Sequence, residues 1–219
     1  MRRRLLHLVA GAGPVAFLAV ATIEGFLRPD YDPVAQPISA LALGPRGWIQ
    51  AANFALITAS FAAFAVVLRT AVPRGVASRA APAVLAVMAV GTALAGIFPM
   101  DPLGVAASTA SKLHELASLL VFPGMPVLLL VAARRFRGDP RWRRYFAYTL
   151  ATGVFTAVAL ATFLVLVGPP GATYPLAAVR GLAQRIILVP FFAWIAVITR
   201  AAYARVGAML DGSGSQGLA

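Results

Sequence analysis

The sequence predicts an all-α protein built as a bundle of six transmembrane helices. Six apolar segments are each long enough to cross a bilayer, for which an α-helix needs about 20 residues. Of the 219 residues, 60% are hydrophobic and only 12% are charged. So few charged residues cannot cover the surface of a water-soluble protein of this size. Most of the basic residues lie between the apolar segments, as is typical of membrane proteins.

The composition also limits the partners and the chemistry. The formal net charge is +12, which by itself would suit a nucleic-acid-binding protein. The arginines flank apolar runs, however, so we attribute the charge to membrane topology and predict no nucleic-acid partner. The chain has no cysteine, which excludes disulfides, thiolate metal ligands and a cysteine nucleophile. We predict no cofactor.

The predicted spans form a single domain, residues 1–209, which is followed by a flexible tail, residues 210–219. The six spans cover residues 5–27, 48–68, 81–98, 113–133, 145–167 and 181–199. The first contains Ala19-Val20-Ala21, a tripeptide of the kind found at signal-peptide cleavage sites. Its apolar run continues past that point and is long for a signal sequence, so we favour a retained helix that is kinked at Pro14.

The segment from Arg28 to Gly47 follows the first span and contains four prolines, which exclude one uninterrupted helix. Ile38, Leu41 and Leu43 are apolar enough to enter the edge of the membrane. We therefore predict a partly helical loop over the mouth of the bundle, where irregular backbone is tolerated if protein covers it. A solvated connector stiffened by its prolines is the alternative.

Prolines and polar caps mark the ends of the later helices. The third span ends at Gly96-Ile97-Phe98-Pro99-Met100-Asp101-Pro102. Ser108 or Ser111 is the expected N-cap of the fourth helix. Pro123 and Pro126 are predicted to interrupt that helix, since each frees a backbone carbonyl that neighbours must satisfy.

The arginine clusters predict the orientation of the chain. Basic residues are concentrated before the first span, after the second, between the fourth and fifth, and after the sixth, whereas charges on the opposite side balance. Positively charged loops tend to stay in the cytoplasm. We therefore predict cytoplasmic termini in a multi-pass protein of the inner (plasma) membrane, with the arginines in contact with anionic lipids.

The outer side carries a concentrated polar stretch, Ser111-Lys112-Leu113-His114-Glu115-Leu116-Ala117-Ser118, at the start of an otherwise apolar helix. Ionisable groups within a membrane span cost about 2.5–3.5 kcal/mol each on insertion scales, so they usually pair or line a cavity. Glu24, Asp101 and Arg185 fall at the same level on three other helices. These residues predict a shared polar pocket; interfacial snorkelling and ion pairs that hold loops are the alternative.

Metal binding, hydrolysis and transport are three further chemistries that such a pocket could serve. A metal site is not expected, because His114 is the only outer histidine. A hydrolase would use Ser111, Ser118 or Ser39 with His114 and an acid, but no nucleophile motif supports it. Serine hydroxyls in membrane helices commonly form hydrogen bonds to a neighbouring helix instead. A transporter is disfavoured because there is no second polar layer at mid-membrane.

The first functional hypothesis is that the pocket binds a lipid or a similar amphiphile from the outer leaflet. Arg180 and Arg185 would hold an anionic headgroup. The hydrogen-bonding walls would be Tyr31, Asp32, Gln36, Ser39, Ser118 and Gln184. The alternative is an intramembrane enzyme in which His114 is the general acid or base and is oriented by a carboxylate. The candidate carboxylates are Glu24, Asp101 and Glu115. Membrane lipids are the expected partners, and a homo-oligomer is an open alternative.

Three stretches resemble a known bacterial family of six-helix membrane proteins, catalogued as domain of unknown function nine-nine-eight. They are Tyr31-Asp32-Pro33-Val34-Ala35-Gln36-Pro37-Ile38-Ser39-Ala40-Leu41, His114 with Ser118, and Gly181-Leu182-Ala183-Gln184-Arg185. Ala35 stands where the family pattern has a serine, and Ala42 where it has a glycine. The resemblance implies the six-helix fold and no defined activity. The family is itself similar to eukaryotic six-helix proteins linked to lipid remodelling.

Overall fold

The structure, a computed structural model, describes residues 2–73, 77–102, 104–168 and 174–214. These residues form seven α-helices and no strand, which confirms the all-α prediction. The helices are α1 (Arg2–Leu27), α2 (Gly47–Ala71), α3 (Ala77–Ile97), α4 (Thr109–Val121), α5 (Gly124–Arg137), α6 (Phe146–Thr162) and α7 (Arg180–Gly214). Short 3₁₀ helices lie at Ile38–Ala42, Arg143–Tyr145 and Ala177–Val179, and a π-helical turn at Phe163–Val167 follows α6.

Six stretches of these helices are long and apolar enough to cross a membrane, as predicted. They are Arg2–Leu27, Gly47–Ala71, Ser78–Ile97, Thr109–Arg137, Arg143–Val167 and Ala177–Arg205. The fourth consists of α4 and α5 together, which confirms the predicted interruption at Pro123. The predicted interruption at Pro126 is wrong, because Pro126 lies in the first turn of α5, where a helix needs no N–H from it. Helix α4 ends at Val121 and α5 begins at Gly124, because a proline has no N–H to donate to the preceding turn. The chain is therefore a multi-pass membrane protein.

The six spans alternate in direction and give the bundle two ends. At the arginine end, the indole Nε1 of Trp142 donates to Ala71 O at 3.3 Å and the Arg205 guanidinium lies 4.5 Å above the Trp142 ring. This end holds the starts of α1 and α3 and the last turns of α2, α5 and α7. At the loop end, the backbone N–H of Ile38 donates to Gln184 Oε1 at 2.7 Å. This end holds residues 28–46, the end of α3 and the starts of α4 and α7.

Small residues allow the helices of the first half to approach closely. A Cβ added to Gly13 of α1 would lie 2.8 Å from the Cβ of Ser60 on α2, and one added to Gly91 of α3 would lie 2.8 Å from Ala117 O on α4. Such contacts are typical of membrane helices, where van der Waals packing rather than the hydrophobic effect holds helices together. The glycines thus set the spacing of α1 to α4.

Aromatic side chains and one buried hydrogen bond tie α7 to the rest of the bundle. Phe64 of α2 packs edge-on against Trp194 at a centroid distance of 5.5 Å, and Phe191 meets Phe61 at 6.2 Å. The indole N–H of Trp194 donates to Thr149 Oγ1 on α6 at 2.9 Å. A buried indole N–H needs such a partner, so this contact fixes the rotation of α6 against α7.

The loop after the first span is partly helical, as predicted. Its 3₁₀ helix, Ile38–Ala42, buries Ile38 and Leu41, which are each 2% exposed. The guanidinium of Arg28 donates to Leu41 O at 3.0 Å and so attaches the loop to the end of α1. Residues 37–41 are all buried, so this part of the loop is a packed element and not a solvated connector.

Three further helix ends can be compared with the sequence: the start of α4, the end of the fifth span and the end of α7. Ser108 is the N-cap of α4, as expected, and its hydroxyl accepts from the N–H of Ser111 at 3.2 Å. Gly168 follows the π-helical turn with a φ of +60°, and the sequence Pro169-Pro170-Gly171 that comes next lies outside the described residues. The backbone of α7 continues as a helix to Gly214; residues 215–219 of the predicted tail lie outside the described residues.

Candidate functional site

Arg185 of α7 fastens the loop to the bundle. Its Nη1 donates to Pro33 O at 2.8 Å and to Gly181 O at 3.0 Å, and its Nη2 donates to the Tyr31 hydroxyl at 2.8 Å. The Tyr31 hydroxyl lies 3.1 Å from Gln36 O. Burial raises the pKa of Tyr31 above its usual value, so the hydroxyl stays protonated and able to donate. The guanidinium that was predicted to hold a headgroup is occupied by backbone oxygens.

Two further side chains at the start of α7 also bind backbone. Gln184 accepts the N–H of Ile38, the first residue of the 3₁₀ helix. The buried guanidinium of Arg180 donates to Gly168 O at 3.2 Å and to Val167 O at 3.3 Å. Carbonyls at the end of a helix have no intrahelical partner, so Arg180 satisfies those at the end of the fifth span.

Asp32 and Gln36 fold the loop on itself. The carboxylate of Asp32 accepts from the N–H of Val34 at 2.8 Å and from that of Ala35 at 3.3 Å. The Asp32 N–H in turn donates to Gln36 Oε1 at 3.1 Å. An aspartate that bonds the backbone two residues ahead forms an Asx-turn, so both side chains stabilise a turn at the solvent-exposed edge of the loop.

The acids at the loop end are held apart from His114. Glu24 is 7% exposed and accepts from Nε of Arg46 at 3.0 Å and also from its Nη2. Asp101 accepts the N–H of Ser108 at 2.6 Å. Glu115 is only half-buried on α4. Within the described part of the chain, the structure brings none of the three carboxylates into hydrogen-bond contact with the imidazole.

A cavity of about 60 Å³ lies beneath the loop, in the half of the bundle nearest the loop end. All the helices except α6 contribute to its wall, together with the 3₁₀ helix. Its polar lining residues are Ser39, Thr92, His114, Ser118 and Gln184. Its apolar lining residues are Phe17, Ile38, Phe54, Ile57, Phe61, Ala95, Val121, Phe122, Met125, Leu188 and Phe192. The cavity is therefore an apolar chamber with a few separated polar groups, as is usual for small-molecule sites.

His114 is the polar group of this cavity whose orientation is best defined. Its Nδ1 lies 2.8 Å from Phe98 O and 3.1 Å from Ala95 O, at the end of α3. Carbonyls only accept hydrogen bonds, so Nδ1 carries the proton, and in the neutral ring Nε2 is left as an acceptor. Among the described residues Nε2 has no hydrogen-bond partner. The edge of the ring packs on Phe54 at a centroid distance of 6.2 Å.

The two serine hydroxyls of the cavity already donate hydrogen bonds to other groups of the protein. Ser118 Oγ donates to His114 O at 3.0 Å, one turn earlier on α4. Ser39 Oγ donates to the sulfur of Met100 at 3.2 Å. A hydroxyl that donates its proton elsewhere still has lone pairs that accept. The cavity therefore presents mainly acceptors, with the amide of Gln184 as the exception because its Oε1 is already in use.

The structure thus divides eleven of the twelve predicted site residues into two groups, and Glu115, half-buried on α4, belongs to neither. Those that line one cavity are Ser39, His114, Ser118 and Gln184. Those that hold backbone or each other elsewhere are Glu24, Tyr31, Asp32, Gln36, Asp101, Arg180 and Arg185. Thr92 also lines the cavity and was missed. The available signal was that it is the single polar side chain in α3 after Arg79, and its Oγ1 lies 2.8 Å from that of Thr58.

The elements that form the cavity all lie in a part of the chain that matches a family model. Residues 11–201 match the family described as "Protein of unknown function (DUF998)". Comparisons with curated proteins and with solved structures gave no match. The matched region contains the loop, His114 and the start of α7, the stretches on which the resemblance in the sequence rests. The chain belongs to the DUF998 family of proteins of unknown function.

Proposed function

We propose that this multi-pass membrane protein binds a neutral amphiphile that bears a hydroxyl group, with the hydroxyl against His114 in the loop-end cavity. The observation that carries the proposal is the fixed tautomer of His114, which leaves Nε2 as an acceptor in the wall of an apolar chamber. A polar group inside a membrane bundle is costly unless it meets a partner. A hydroxyl would supply the missing donor.

The ligand is neutral because the cavity offers no charge to balance one. Within the described residues that line it, none is lysine, arginine, aspartate or glutamate. A charged headgroup placed there would lose its hydration without gaining a counterion. Arg180 and Arg185 already donate to backbone carbonyls. The proposal therefore replaces the anionic headgroup of the sequence-based hypothesis with a hydroxyl, ester or similar uncharged group.

The size of the cavity requires that only part of the ligand lies inside. A volume of 60 Å³ corresponds to about two water molecules, each of which takes about 30 Å³ in the liquid. The chain of the amphiphile must therefore leave between helices. Helix α4 packs chiefly against α3, and Phe122, which lines the cavity, stacks on Phe163 of the π-helical turn at 6.5 Å. We place the exit at this aromatic pair, since π-helical turns are frequent at functional sites.

The enzymatic alternative has one element in its favour, the buried imidazole. It lacks the predicted orienting carboxylate, because both Nδ1 contacts go to main-chain oxygens. Ser118 is committed to a backbone carbonyl and is not hydrogen-bonded to the ring. We therefore favour ligand binding over catalysis as the role of this cavity.

The test uses monooleoylglycerol as a neutral probe and oleate as its anionic counterpart. A ligand that binds the folded state raises the temperature of unfolding. We expect monooleoylglycerol to stabilise the wild-type protein in detergent and oleate to do so less. Ala95→Val fills the cavity and should abolish the shift, whereas Ala52→Val, on the exposed face of α2, should keep it.

Equal shifts in Ala95→Val and the wild-type protein would contradict the proposal, as would no shift in the wild-type protein. The same samples separate binding from catalysis. Recovery of intact monooleoylglycerol after incubation supports binding. Release of glycerol and oleate by the wild-type protein, and not by His114→Asn, would favour the enzyme instead.

A further inference from the structure

A second and larger cavity lies at the arginine end, away from the loop-end cavity. It is a groove of about 930 Å³ between α1 and α7. Gly11, Ala12 and Ala196 are among its lining residues, and their small side chains make room for an occupant. Leu5 and Leu8 add apolar surface on the α1 side. The groove is within the size range of cavities that hold small molecules.

The groove carries positive charge at its polar end. Arg4 of α1 and Arg200 of α7 both line it and are both exposed. His7 and Tyr203 complete this end, with their rings edge-to-face at 5.4 Å. Among the described residues that line the groove there is no carboxylate to neutralise the two arginines. Asp139, whose side chain is described at this end, instead forms ion pairs with Arg135 and Arg141.

A buried hydroxyl without a hydrogen-bond partner lies in the wall of the groove. Thr199 lines the groove and is 3% exposed. Its Oγ1 has no hydrogen-bond partner within the described part of the chain. Buried hydroxyls normally have a partner, and those of membrane helices usually bond to a carbonyl of their own helix or a neighbour. Thr199 directly precedes Arg200 in the sequence, so this unsatisfied hydroxyl lies beside the basic end of the groove.

We propose that the groove between α1 and α7 binds one anionic phospholipid. Its phosphate lies against Arg4 and Arg200, and an acyl chain follows Leu8 and Ala12 toward the middle of the membrane. Guanidinium groups bind phosphate oxygens through paired N–H donors. Basic pockets between membrane helices are a recurrent way to hold anionic headgroups. This inference depends on the membrane placement of the chain and not on the proposed function at the loop end.

A second copy of the chain is the competing occupant, and the charge distribution argues against it. A two-fold interface places the same surface of both copies face to face. Arg4 and Arg200 of one copy would then meet the same residues of the other, and like charges brought together in a membrane repel strongly. An anionic lipid has the complementary charge.

Native mass spectrometry of the detergent-solubilised protein tests the inference. Phosphatidylglycerol and phosphatidylcholine are added in turn as probes. We expect the wild-type protein to retain phosphatidylglycerol in preference to phosphatidylcholine. In the double variant Arg4→Gln/Arg200→Gln its affinity should fall by about five-fold for each arginine removed. The matched control is Arg134→Gln/Arg143→Gln, two exposed arginines at the same end that lie outside the groove.

A third variant tests whether the lipid is held by the groove itself and not by the overall positive charge of this end. Ala12→Phe fills the apolar part without changing any charge, and it should lower phosphatidylglycerol retention as well. Equal retention by the control pair and the groove pair, or undiminished retention by Ala12→Phe, would overturn the proposal. Loss of a dimer in the groove variants, with lipid retention unchanged, would overturn it in favour of a second copy. Displacement by inorganic phosphate alone would show that no acyl chain is bound and would also overturn it.

Discussion

Arg185 donates a hydrogen bond to the hydroxyl of Tyr31 at 2.8 Å, across 154 positions of sequence. The same guanidinium lies 5.9 Å from the centre of the tyrosine ring. With its bonds to Pro33 O and Gly181 O, it joins the loop to α7 directly above the loop-end cavity. Both terminal nitrogens of the planar guanidinium donate hydrogen bonds at the same time. The single ammonium group of a lysine could not reproduce this arrangement.

Arg185→Ala should detach the loop and destabilise the bundle. The substitution leaves partly buried carbonyls without donors, and we expect a loss of about 2–4 kcal/mol in the free energy of unfolding. The measurement is thermal unfolding in detergent, together with protease cleavage within residues 28–46. Lys112→Ala removes an exposed cation at the same end and should leave both unchanged. If the two variants unfold alike, Arg185 does not hold the loop.

The ion pair between Glu24 and Arg46 should respond unequally to the loss of its two members. The side chain of Glu24 is 9% exposed and that of Arg46 is 49% exposed. Arg46→Gln removes the cation that is hydrogen-bonded to this carboxylate and leaves Arg28 as a further cation near it, so we expect a loss of about 3 kcal/mol. Glu24→Gln leaves an arginine that reaches water and should cost about 1 kcal/mol. Equal losses in the two single variants would show that Glu24 is hydrated.

His114 is expected to have a structural role that can be separated from its proposed binding role. His114→Ala removes the donor to Ala95 O and Phe98 O and should lower the free energy of unfolding by about 1–3 kcal/mol. His114→Asn keeps an N–H donor near the position of Nδ1 and removes Nε2. Its stability should approach that of the wild-type protein, while the monooleoylglycerol shift is lost. An unchanged shift in His114→Asn would exclude Nε2 as a ligand contact.

Asp139 should make the stability of the arginine end depend on pH. Hydrogen bonds from Arg141 are the main reason that the pKa of this carboxyl is lowered from 3.8 to about 2. A depressed pKa in the folded state stabilises the protein above the unfolded pKa, and this contribution disappears as the pH falls from about 4 to about 2. The full contribution is about 2 kcal/mol, because one pKa unit corresponds to about 1.4 kcal/mol.

The measurement is the difference in unfolding free energy between the wild-type protein and Asp139→Asn at a series of pH values. The difference should be constant above about pH 5, shrink mainly between about pH 4 and about pH 2, and reach zero below that range. Other carboxyl groups titrate in both proteins and largely cancel in the difference. A difference that does not change with pH would show that the bonds from Arg135 and Arg141 add no stability.

The sequence was sufficient to predict the fold because membrane insertion leaves few alternatives. Apolar length predicted the six spans, Pro123 predicted the break in the fourth, and Ser108 was one of two expected caps. Each of these features depends on local chemistry: an apolar run, a missing N–H, a hydroxyl before a helix. The partly helical loop followed from its buried apolar residues between prolines.

The site was less predictable because its partners are distant or belong to the main chain. The sequence places Arg185 at the right level but cannot show that its partners are the carbonyls of Pro33 and Gly181. Every residue carries such a carbonyl, so the sequence cannot show which carbonyls accept hydrogen bonds from a given side chain. Thr92 was missed for the opposite reason, since one hydroxyl in an apolar helix usually bonds to its own backbone and attracts no attention.

The break at Pro123 gives the fourth span two halves with different neighbours. Helix α4 packs chiefly against α3, whereas α5 packs chiefly against α6. The opening between Phe122 and Phe163 that the proposed function requires would therefore move α4 and leave the packing of α5 against α6 in place. On that proposal, a molecule from the bilayer would enter at the α4 end of this span while the α5 end keeps its seal.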